Sequence, residues 1–232
     1  MKLAVMQPYL FPYLGYFQLV AAVDKFVFYD DVNFIKNGWI NRNRLILAGQ
    51  VRYFTVPLAG ASAFQPINQV VVQPDGVWRR KIAASLKQSY AKAPSFEPIY
   101  DLACGILFSA ERHIGQLAQN SVKAVADYLG LATQFAASTD AYHNTKLRGA
   151  ARVLDICRQE GAEDYYNLPG GTALYDPALF EQRSIRLHFL QPELKPYRQF
   201  ADAFHPALSI LDVLMFHDRL AARELLRTEA RP

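Results

Sequence analysis

Polar and aromatic side chains are concentrated between positions 30 and 44 of this 232-residue chain, in the stretch DDVNFIKNGWINRNR. Asp30 and Asp31 follow a strand-like apolar run, and the residues after them indicate one short polar loop. Arginine can bind a diphosphate through two parallel hydrogen bonds, tryptophan can stack on a base or sugar, and a carboxylate can bind a hydroxyl, an amine or a metal-bridged phosphate. The alternative is a solvated loop whose charges pair with one another. The residues predicted to contact or act on a substrate here are Asp30, Lys36, Trp39, Asn41, Arg42, Asn43 and Arg44.

A second candidate site lies in the N-terminal block MQPYLFPYLGYFQLV, from Met6 to Val20. Prolines fix the backbone after the first predicted strand, glycine permits a close approach, and the next helix begins with free N–H groups. Such a turn can hold a phosphate or a carboxylate. The alternative is that the aromatic residues only form core and edge packing on a proline-rich connection. The residues predicted to bind substrate in this block are Gln7, Tyr13, Gly15 and Tyr16.

Two other groups of residues could also take part in chemistry. Gly170, Gly171 and Thr172 follow the predicted strand DYYNL, where backbone amides and a hydroxyl can meet a ligand, although two glycines also form ordinary turns. His143 and His205 lie in polar or proline-adjacent turns, where an imidazole can serve as a general base. No residues have metal-ligand spacing, so no metal site is predicted from the sequence.

Length and composition narrow the possible functions. With 51% apolar and 20% charged residues, the chain can bury a substantial core. The net charge is +4 with no basic tract, so a nucleic-acid partner is not expected. Two cysteines, no secretory signal and no apolar stretch near 18 residues predict a cytoplasmic protein without a transmembrane segment. The sequence has no P-loop, G-x-S-x-G elbow, full G-x-G-x-x-G fingerprint or H-E-x-x-H motif.

The elements that must position these residues alternate between strand and helix. This alternation predicts an α/β fold with a Rossmann-like, mostly parallel sheet flanked by helices. One domain is expected over residues 1–232, with a helical subdomain or lid within 76–130. Predicted strands are 3–6, 26–29, 51–58, 67–72, 133–137, 164–168 and 185–190. Predicted helices are 13–22, 76–90, 109–130, 145–159 and 206–226, with a break at the proline-containing stretch 93–101.

Five stretches of the sequence together resemble a known family. They are MQPYLFPYLGYF, DKFVFYDDVNFIKNGWINRNR, WRRK, SYAKAPSF and HPALSILDVL. In combination they look like the WbqC-like protein family, and the resemblance covers almost the entire chain. That family is associated with bacterial genes for O-antigen and related surface-polysaccharide synthesis, which implies work on a nucleotide-activated, often amino-containing, sugar. The positions that match its motif are Gln7, Pro8, Gly15, Tyr16, Asp30, Trp39, Asn41, Arg42 and Asn43.

A second resemblance concerns only the opening strand, turn and helix. It is similar to the start of the nucleotidylyltransferase and pantothenate-synthetase superfamily, in which an H-x-G-H turn holds nucleotide phosphates. Here Tyr13 and Tyr16 occupy the two histidine positions, and Gly15 is retained. Tyrosine can donate a hydrogen bond to a phosphate but cannot supply a cationic imidazolium. The resemblance therefore implies nucleotide binding more than adenylyl transfer.

Together these observations predict a transferase that puts an acyl or aminoacyl group on the amine of a nucleotide-linked sugar. Asp30, His143 or His205 would serve as general base, and Tyr16 or Asn41 would stabilise the oxyanion. Lys36, Arg42 and Arg44 would hold the diphosphate. One alternative is an ATP-dependent, amide-forming ligase with Mg²⁺ near Asp30 or Asp31. Another is a non-catalytic protein that binds a nucleotide-sugar or other anionic small molecule. A homodimer is compatible with the sequence, which does not fix the oligomeric state.

Overall fold

A computed structural model describes residues 1–136 and 138–228 and has an α/β, Rossmann-like fold. Its main sheet is parallel, with five strands in the order β5-β2-β1-β6-β7, and β3 and β4 form a separate antiparallel hairpin. The strands are β1 Lys2–Met6, β2 Lys25–Phe28, β3 Arg42–Leu47, β4 Gln50–Thr55, β5 Gln134–Ala136, β6 Asp164–Asn167 and β7 Arg186–Phe189. Within the described ranges the helices are α1 Leu14–Ala22, α2 Val77–Tyr90, α3 Phe96–Leu107, α4 Ile114–Leu129, α5 Gly149–Glu160, α6 Pro177–Glu181, α7 Ile210–Phe216 and α8 Arg219–Glu224.

The strand order reverses between β1 and β6. From β1 the chain adds β2 and β5 on one side, whereas β6 and β7 extend the sheet on the other. In open parallel sheets, ligands bind outside the carboxyl ends of the strands, near such a reversal. The residues that follow β1, β2, β5 and β6 therefore all emerge at the edge where a ligand is expected.

Alternation along β1 divides the core between the two faces of the sheet. Ala4 packs in a large cluster with α1, α2, α3, α4 and α7, whereas Leu3 and Val5 pack in a smaller cluster with α5 and α6. Successive side chains of a strand point to opposite faces, so a strand buried on both faces is apolar throughout. The apolar side chains of α2, α3 and α4 share the larger cluster with α1, and a helical subdomain at 76–130 remains a prediction.

The hairpin differs most from the sequence-based expectation. Positions 42–44 were expected in a loop, but they begin β3, which pairs with β4 through the turn Ala48–Gly49. Both turn residues have positive φ, 52° and 75°, as a two-residue hairpin turn requires. The predicted strand at 67–72 is wrong: Ile67–Gln69 is a 3₁₀ turn, and Val71 and Val72 form only isolated bridges. A β-branched run indicates an extended backbone but cannot show whether a partner strand is available.

Several predicted helix boundaries also move. The helix expected from Ser109 begins at Ile114, because the Glu111 carboxylate accepts hydrogen bonds from the backbone of Arg112 and His113 and stabilises a turn there. The helix expected from Thr145 begins at Gly149. In the stretch predicted as a break, α3 begins at Phe96.

The predicted C-terminal helix at 206–226 is divided in two. Ser209 caps α7, which ends at Phe216, and Asp218 caps α8 by accepting a hydrogen bond from the Ala221 backbone N–H at 2.8 Å. The predicted strand at 133–137 is present as β5, and Ala137 lies outside the described residues. None of the helices in the described part of the chain combines the length and apolar character that a bilayer crossing requires.

Candidate functional site at the carboxyl edge of the sheet

The carboxylate of Asp30, which follows β2 and Tyr29, is the buried centre of a polar network. Asp30 is 3% exposed, and its two oxygens accept hydrogen bonds from Ser138 Oγ at 2.8 Å, the Thr139 backbone at 3.3 Å and Gln119 Nε2 at 2.9 Å. Burial raises the pKa of Asp30, and the hydrogen bonds from Ser138 and Thr139 partly offset that rise. With both oxygens hydrogen-bonded, Asp30 holds the turn after β5 in place, and its role as a general base stays a prediction.

The neighbouring Asp31 forms a buried ion pair with Arg152 of α5. Burial alone would raise the pKa of Asp31, but hydrogen bonds from Arg152 and Thr139, together with the charge of Arg152, lower it below its usual value. Arg152 is 1% exposed, lies over the Tyr29 ring at 5.0 Å, and donates from Nε to Asn144 Oδ1 at 2.8 Å. A charge this deeply buried is tolerated because Asp31 neutralises it and Asn144 accepts a further hydrogen bond from it.

Asp140 is the solvent-facing end of this network. It is exposed, accepts a hydrogen bond from Asn68 Nδ2 at 3.1 Å, and shares a side-chain hydrogen bond with Asp31. Partial burial, the negative charge of Asp31 and that shared hydrogen bond all raise the pKa of Asp140. Two touching carboxyl groups whose pKa values are pushed apart are the usual arrangement of an acid–base pair. We call the set Asp30, Asp31, Asp140 and Arg152, with the residues that hold them, the carboxyl-edge network.

The carboxyl ends of β1 and β6 complete this edge of the sheet. Gln7 follows β1 and is half-buried, while Asn167 ends β6 and donates to the Tyr165 hydroxyl at 3.0 Å. The predicted residues Gly170 and Thr172 are exposed in the turn after β6, and the Thr172 hydroxyl donates to the Pro169 carbonyl at 2.9 Å. The third predicted residue, Gly171, is buried, and an added Cβ would lie 3.0 Å from the Asn167 side chain. This turn therefore packs on the sheet edge while keeping one open side.

The turn after β1 is filled by its own side chains. Tyr16 is fully buried, and its hydroxyl donates to the Gln7 carbonyl at 2.9 Å, which ties α1 to the end of β1. A Cβ added at Gly15 would lie 2.5 Å from the Tyr13 ring and 2.7 Å from Pro192. These two tyrosines therefore pack the turn, and Gly15 is needed for helix packing. A phosphate contact at this helix start stays a prediction.

We expect Gly15→Ala to lower the free energy of unfolding by about 1–3 kcal/mol, because the new methyl group overlaps a ring and a proline. The measurement is urea unfolding followed by circular dichroism. Gly105→Ala is the matched control: Gly105 lies exposed within α3 with nothing within 4 Å of an added Cβ, so it should gain about 0.5–1 kcal/mol. Unchanged stability in Gly15→Ala would contradict the close packing of Tyr13 and Pro192 against this glycine.

The outer face of the hairpin carries four side chains that stack on one another, which we call the hairpin cluster. Trp39 and Tyr53 stack with centroids 6.1 Å apart, Arg42 lies over Tyr53 at 4.5 Å, and Arg44 lies over Trp39 at 5.5 Å. Trp39 is 37% exposed and Tyr53 is 50% exposed. Planar rings and guanidinium groups at a surface are suited to stacking on a base and pairing with phosphates.

The other residues predicted near the hairpin have different environments. Asn43 is buried and donates to the carbonyls of Leu10 and Phe11 at 3.1 and 2.8 Å, so it anchors the hairpin to the segment after β1. Asn41 donates to the Val56 carbonyl at 2.9 Å, and Lys36 is exposed on the loop before β3. Lys36 keeps its ammonium group available to a ligand, Asn41 is half-buried with one amide hydrogen bond, and Asn43 is fully engaged.

The two predicted histidine bases occupy separate places. His143 is exposed beside the carboxyl-edge network, directly after the 3₁₀ turn Thr139–Tyr142, with a left-handed φ of 50°. His205 belongs to a different group around the buried Asp212, and its backbone N–H donates to Gln199 Oε1 at 2.8 Å. The hydroxyls of Tyr90 and Tyr197 donate to Asp212 at 2.6 and 2.5 Å. His205 and Asp30 are thus in two networks, not in one site.

A metal at Asp30 or Asp31 does not fit the side chains found there. Their carboxylate oxygens are engaged by hydroxyl, amide and guanidinium donors, as described above. In residues 1–136 and 138–228, no group of three or more His, Cys, Asp or Glu side chains has an arrangement that could hold a metal ion.

Comparison with known proteins identifies the family. The model of the WbqC-like protein family matches residues 7–224, which include the carboxyl-edge network, the hairpin cluster and Asp212. This chain belongs to the WbqC-like family. It is also similar to the uncharacterized protein Rv1507c of Mycobacterium tuberculosis, with 32% identity over 231 residues that cover 97% of each chain. No solved structure matches it.

Sequence reasoning missed the most deeply engaged residue of this WbqC-like chain. Arg152 lies inside α5, next to Val153, so its position resembles that of an ordinary surface arginine on an amphipathic helix. A helical projection could have placed it on the buried face with Ile156. Asp140 was visible only as part of a polar stretch before a helix, and Gln119 lies 89 residues from the Asp30 that it contacts. Such long-range contacts leave no local signal in a single sequence.

Proposed function

We propose that this WbqC-like protein transfers an acyl or aminoacyl group to the amine of a nucleotide-linked amino sugar used for surface polysaccharide. The observation that carries the proposal is the coupled carboxyl pair, Asp31 and Asp140, at the edge where a parallel sheet binds ligands. Exposed and buried carboxylates outnumber the single buried cation there, which favours an amine as the bound group.

In this reaction the amine must be neutral when its nitrogen attacks the acyl carbonyl. Asp140, held by Asn68 and Asp31, accepts the proton released as the new C–N bond forms, and the acyl carrier departs with the electron pair of the broken bond. Asp31 stays ionised because Arg152 stabilises its negative charge, so a proton arriving at the pair resides on Asp140.

The nucleotide is assigned to the hairpin cluster. Trp39 and Tyr53 offer exposed ring faces for the base, and Arg42, Arg44 and Lys36 supply positive charge for the diphosphate. The segment 31–41 connects this cluster to the carboxyl-edge network, and its end is fixed by the hydrogen bond of 3.1 Å between Leu10 N–H and the Trp39 carbonyl. A nucleotide-sugar has the same division, with its phosphates and base at one end and the amine at the other.

Thermal shift with UDP-, GDP- and dTDP-linked amino sugars tests binding. A nucleotide-sugar at a concentration of about 100 times its Kd adds about 2.7 kcal/mol to the free energy of unfolding. Each kcal/mol raises Tm by about 2–4 °C in a chain of this size. We expect Arg42→Ala to abolish that rise and Arg52→Ala to retain it. Arg52 is the matched control because it lies on the same hairpin, opposite Leu45 and on the other face from Tyr53.

Product formation then separates the transferase from its alternatives. Acylated sugar formed from an acyl thioester, detected by mass spectrometry, supports transfer. Product that requires ATP and a free acid, with release of AMP, supports the ligase instead. Stabilisation by a nucleotide-sugar without product under either condition supports a binding protein, and no stabilisation by any nucleotide-sugar refutes the proposed site.

A further inference from the structure

A cavity of about 200 Å³ lies where the turn between α2 and α3, the segment after β7 and the end of α7 meet. Its lining in the described chain includes three basic side chains and three aromatic rings. The basic residues are Lys92, Arg198 and His217, and the aromatic residues are Tyr197, Phe200 and Phe216. The cavity is separate from both the carboxyl-edge network and the hairpin cluster, so a ligand bound in it is independent of the proposed function.

Within residues 1–136 and 138–228, the charges of Lys92 and Arg198 have no carboxylate at salt-bridge distance. Lys195, by contrast, pairs with Glu193 at 3.5 Å. The buried Asp212 lies behind Tyr197 and is occupied by hydrogen bonds from Tyr90, Tyr197 and Gln199. An anion entering the cavity would therefore meet available cations.

Hydrogen bonds hold the walls of the cavity in place. The backbone N–H of Ser95 donates to the Met215 carbonyl at 3.1 Å and its hydroxyl donates to the His217 carbonyl at 3.0 Å, which fixes the turn bearing Lys92 to α7. Gln199, between Arg198 and Phe200, donates to Asp212 at 2.9 Å. A cavity built this way is formed before a ligand arrives, so little ordering entropy opposes binding.

The aromatic side is equally ordered. The rings of Phe200 and Phe216 meet edge to face with centroids 4.8 Å apart, and Tyr197 meets His217 at 5.0 Å. His217 donates from Nδ1 to the Val213 carbonyl at 2.8 Å, which fixes its ring beside Tyr197. Rings of this kind add binding energy for a flat apolar group.

We propose that this cavity binds a phosphorylated small molecule that carries a flat ring next to its phosphate. The phosphate pairs with Lys92 and Arg198, and the ring packs on the aromatic wall of Tyr197, Phe200 and Phe216. The two segments SYAKAPSF and HPALSILDVL meet beside the cavity, where Tyr90 binds Asp212, so the fold brings two distant stretches together to support this site.

Phenyl phosphate is the probe, with inorganic phosphate and phenol as its two halves. Titration calorimetry should show saturable binding of phenyl phosphate. Inorganic phosphate and phenol should each bind more weakly than phenyl phosphate, by on the order of tenfold or more. The double variant Lys92→Gln/Arg198→Gln should weaken phenyl phosphate by a similar factor. The control Lys81→Gln/Lys87→Gln removes the same charge from exposed positions of α2 and should bind as the wild type does.

Ring resonances of Tyr197, Phe216 and His217 provide a second readout in the unaltered protein, by NMR during the same titration. Movement of these resonances together with the variant effect supports the site, whether or not the double variant reaches full stability. Unmoved resonances, equal weakening in the control variant, or inorganic phosphate binding as tightly as phenyl phosphate would each overturn the proposal.

Discussion

Replacing Arg152 with methionine is expected to lower the free energy of unfolding by about 3–5 kcal/mol, the cost of leaving a buried charge without its partner. Arg152→Met removes the ion pair with Asp31, the hydrogen bond to Asn144 and the contact with the Tyr29 ring. The total free energy of unfolding of a native protein is only about 5–15 kcal/mol. Urea unfolding at pH 7, followed by circular dichroism, measures the difference.

Arg158→Met is the matched control on the same helix. Arg158 pairs with Asp155 at 2.9 Å, but its side chain is 71% exposed, so we expect a change of about 1 kcal/mol or less. The double variant Asp31→Asn/Arg152→Met should lose less stability than Arg152→Met alone, because the orphaned carboxylate is gone. Equal losses for Arg152→Met and Arg158→Met would contradict a buried ion pair.

The deficit should also depend on pH. In the wild type the folded-state pKa of Asp31 is lowered, so its stabilisation is present above the unfolded value near 3.8 and is lost as pH falls through the lower folded value. In Arg152→Met the guanidinium that lowers the pKa of Asp31 is gone, so burial raises that pKa. Protonation of Asp31 in the folded state then recovers stability as pH falls. The free energies of unfolding of the wild type and of Arg152→Met should therefore approach each other as the pH falls from about 7 to about 4.

Asp140→Asn is expected to lower turnover by about 10²- to 10⁴-fold, the usual contribution of a general base, if the transferase proposal holds. Asparagine keeps the shape of the side chain but cannot take the proton of the attacking amine. Because Asp140 is exposed, the free energy of unfolding should change by only about 0.5 kcal/mol. Turnover of the amino sugar, followed by mass spectrometry, and urea unfolding of the same samples separate chemistry from folding.

Two further variants sharpen the Asp140→Asn result. Asp202→Asn removes an exposed carboxylate outside the carboxyl-edge network and should retain full turnover. His143→Asn removes the nearby imidazole while keeping a residue that tolerates the left-handed backbone, and it should also retain turnover. In the wild type, turnover should rise with pH as Asp140 ionises, above the usual aspartate range, and this rise should vanish in Asp140→Asn. A large loss in His143→Asn, with little in Asp140→Asn, would move the base to His143.

Much of the architecture was predictable because its causes are local. The run from Leu3 to Met6, the helix after it and the strand at Phe26 follow from apolar patterning, and Gly130 and Gly161 end α4 and α5 in the left-handed conformation. The strand β3 was missed because Arg42 and Arg44 lie on an exposed face of a hairpin, where polar side chains are tolerated. Its pairing depends on the turn at Ala48 and Gly49, which composition alone did not reveal.

The candidate site divides in the same way. The family motifs and the residue types at the strand ends could be read from the sequence, since Asp30 and Gln7 follow short apolar runs that are typical of buried strands. The packing of the folded chain was needed to show which of these polar groups are exposed and which are engaged by other residues. Packing buries Tyr16, Gly15 and Asn43. It also buries Asp30 while leaving Asp140 exposed, and it places His205 in a separate network. These outcomes depend on hydrogen bonds and contacts between residues far apart in the chain, which form only when the sheet and helices come together.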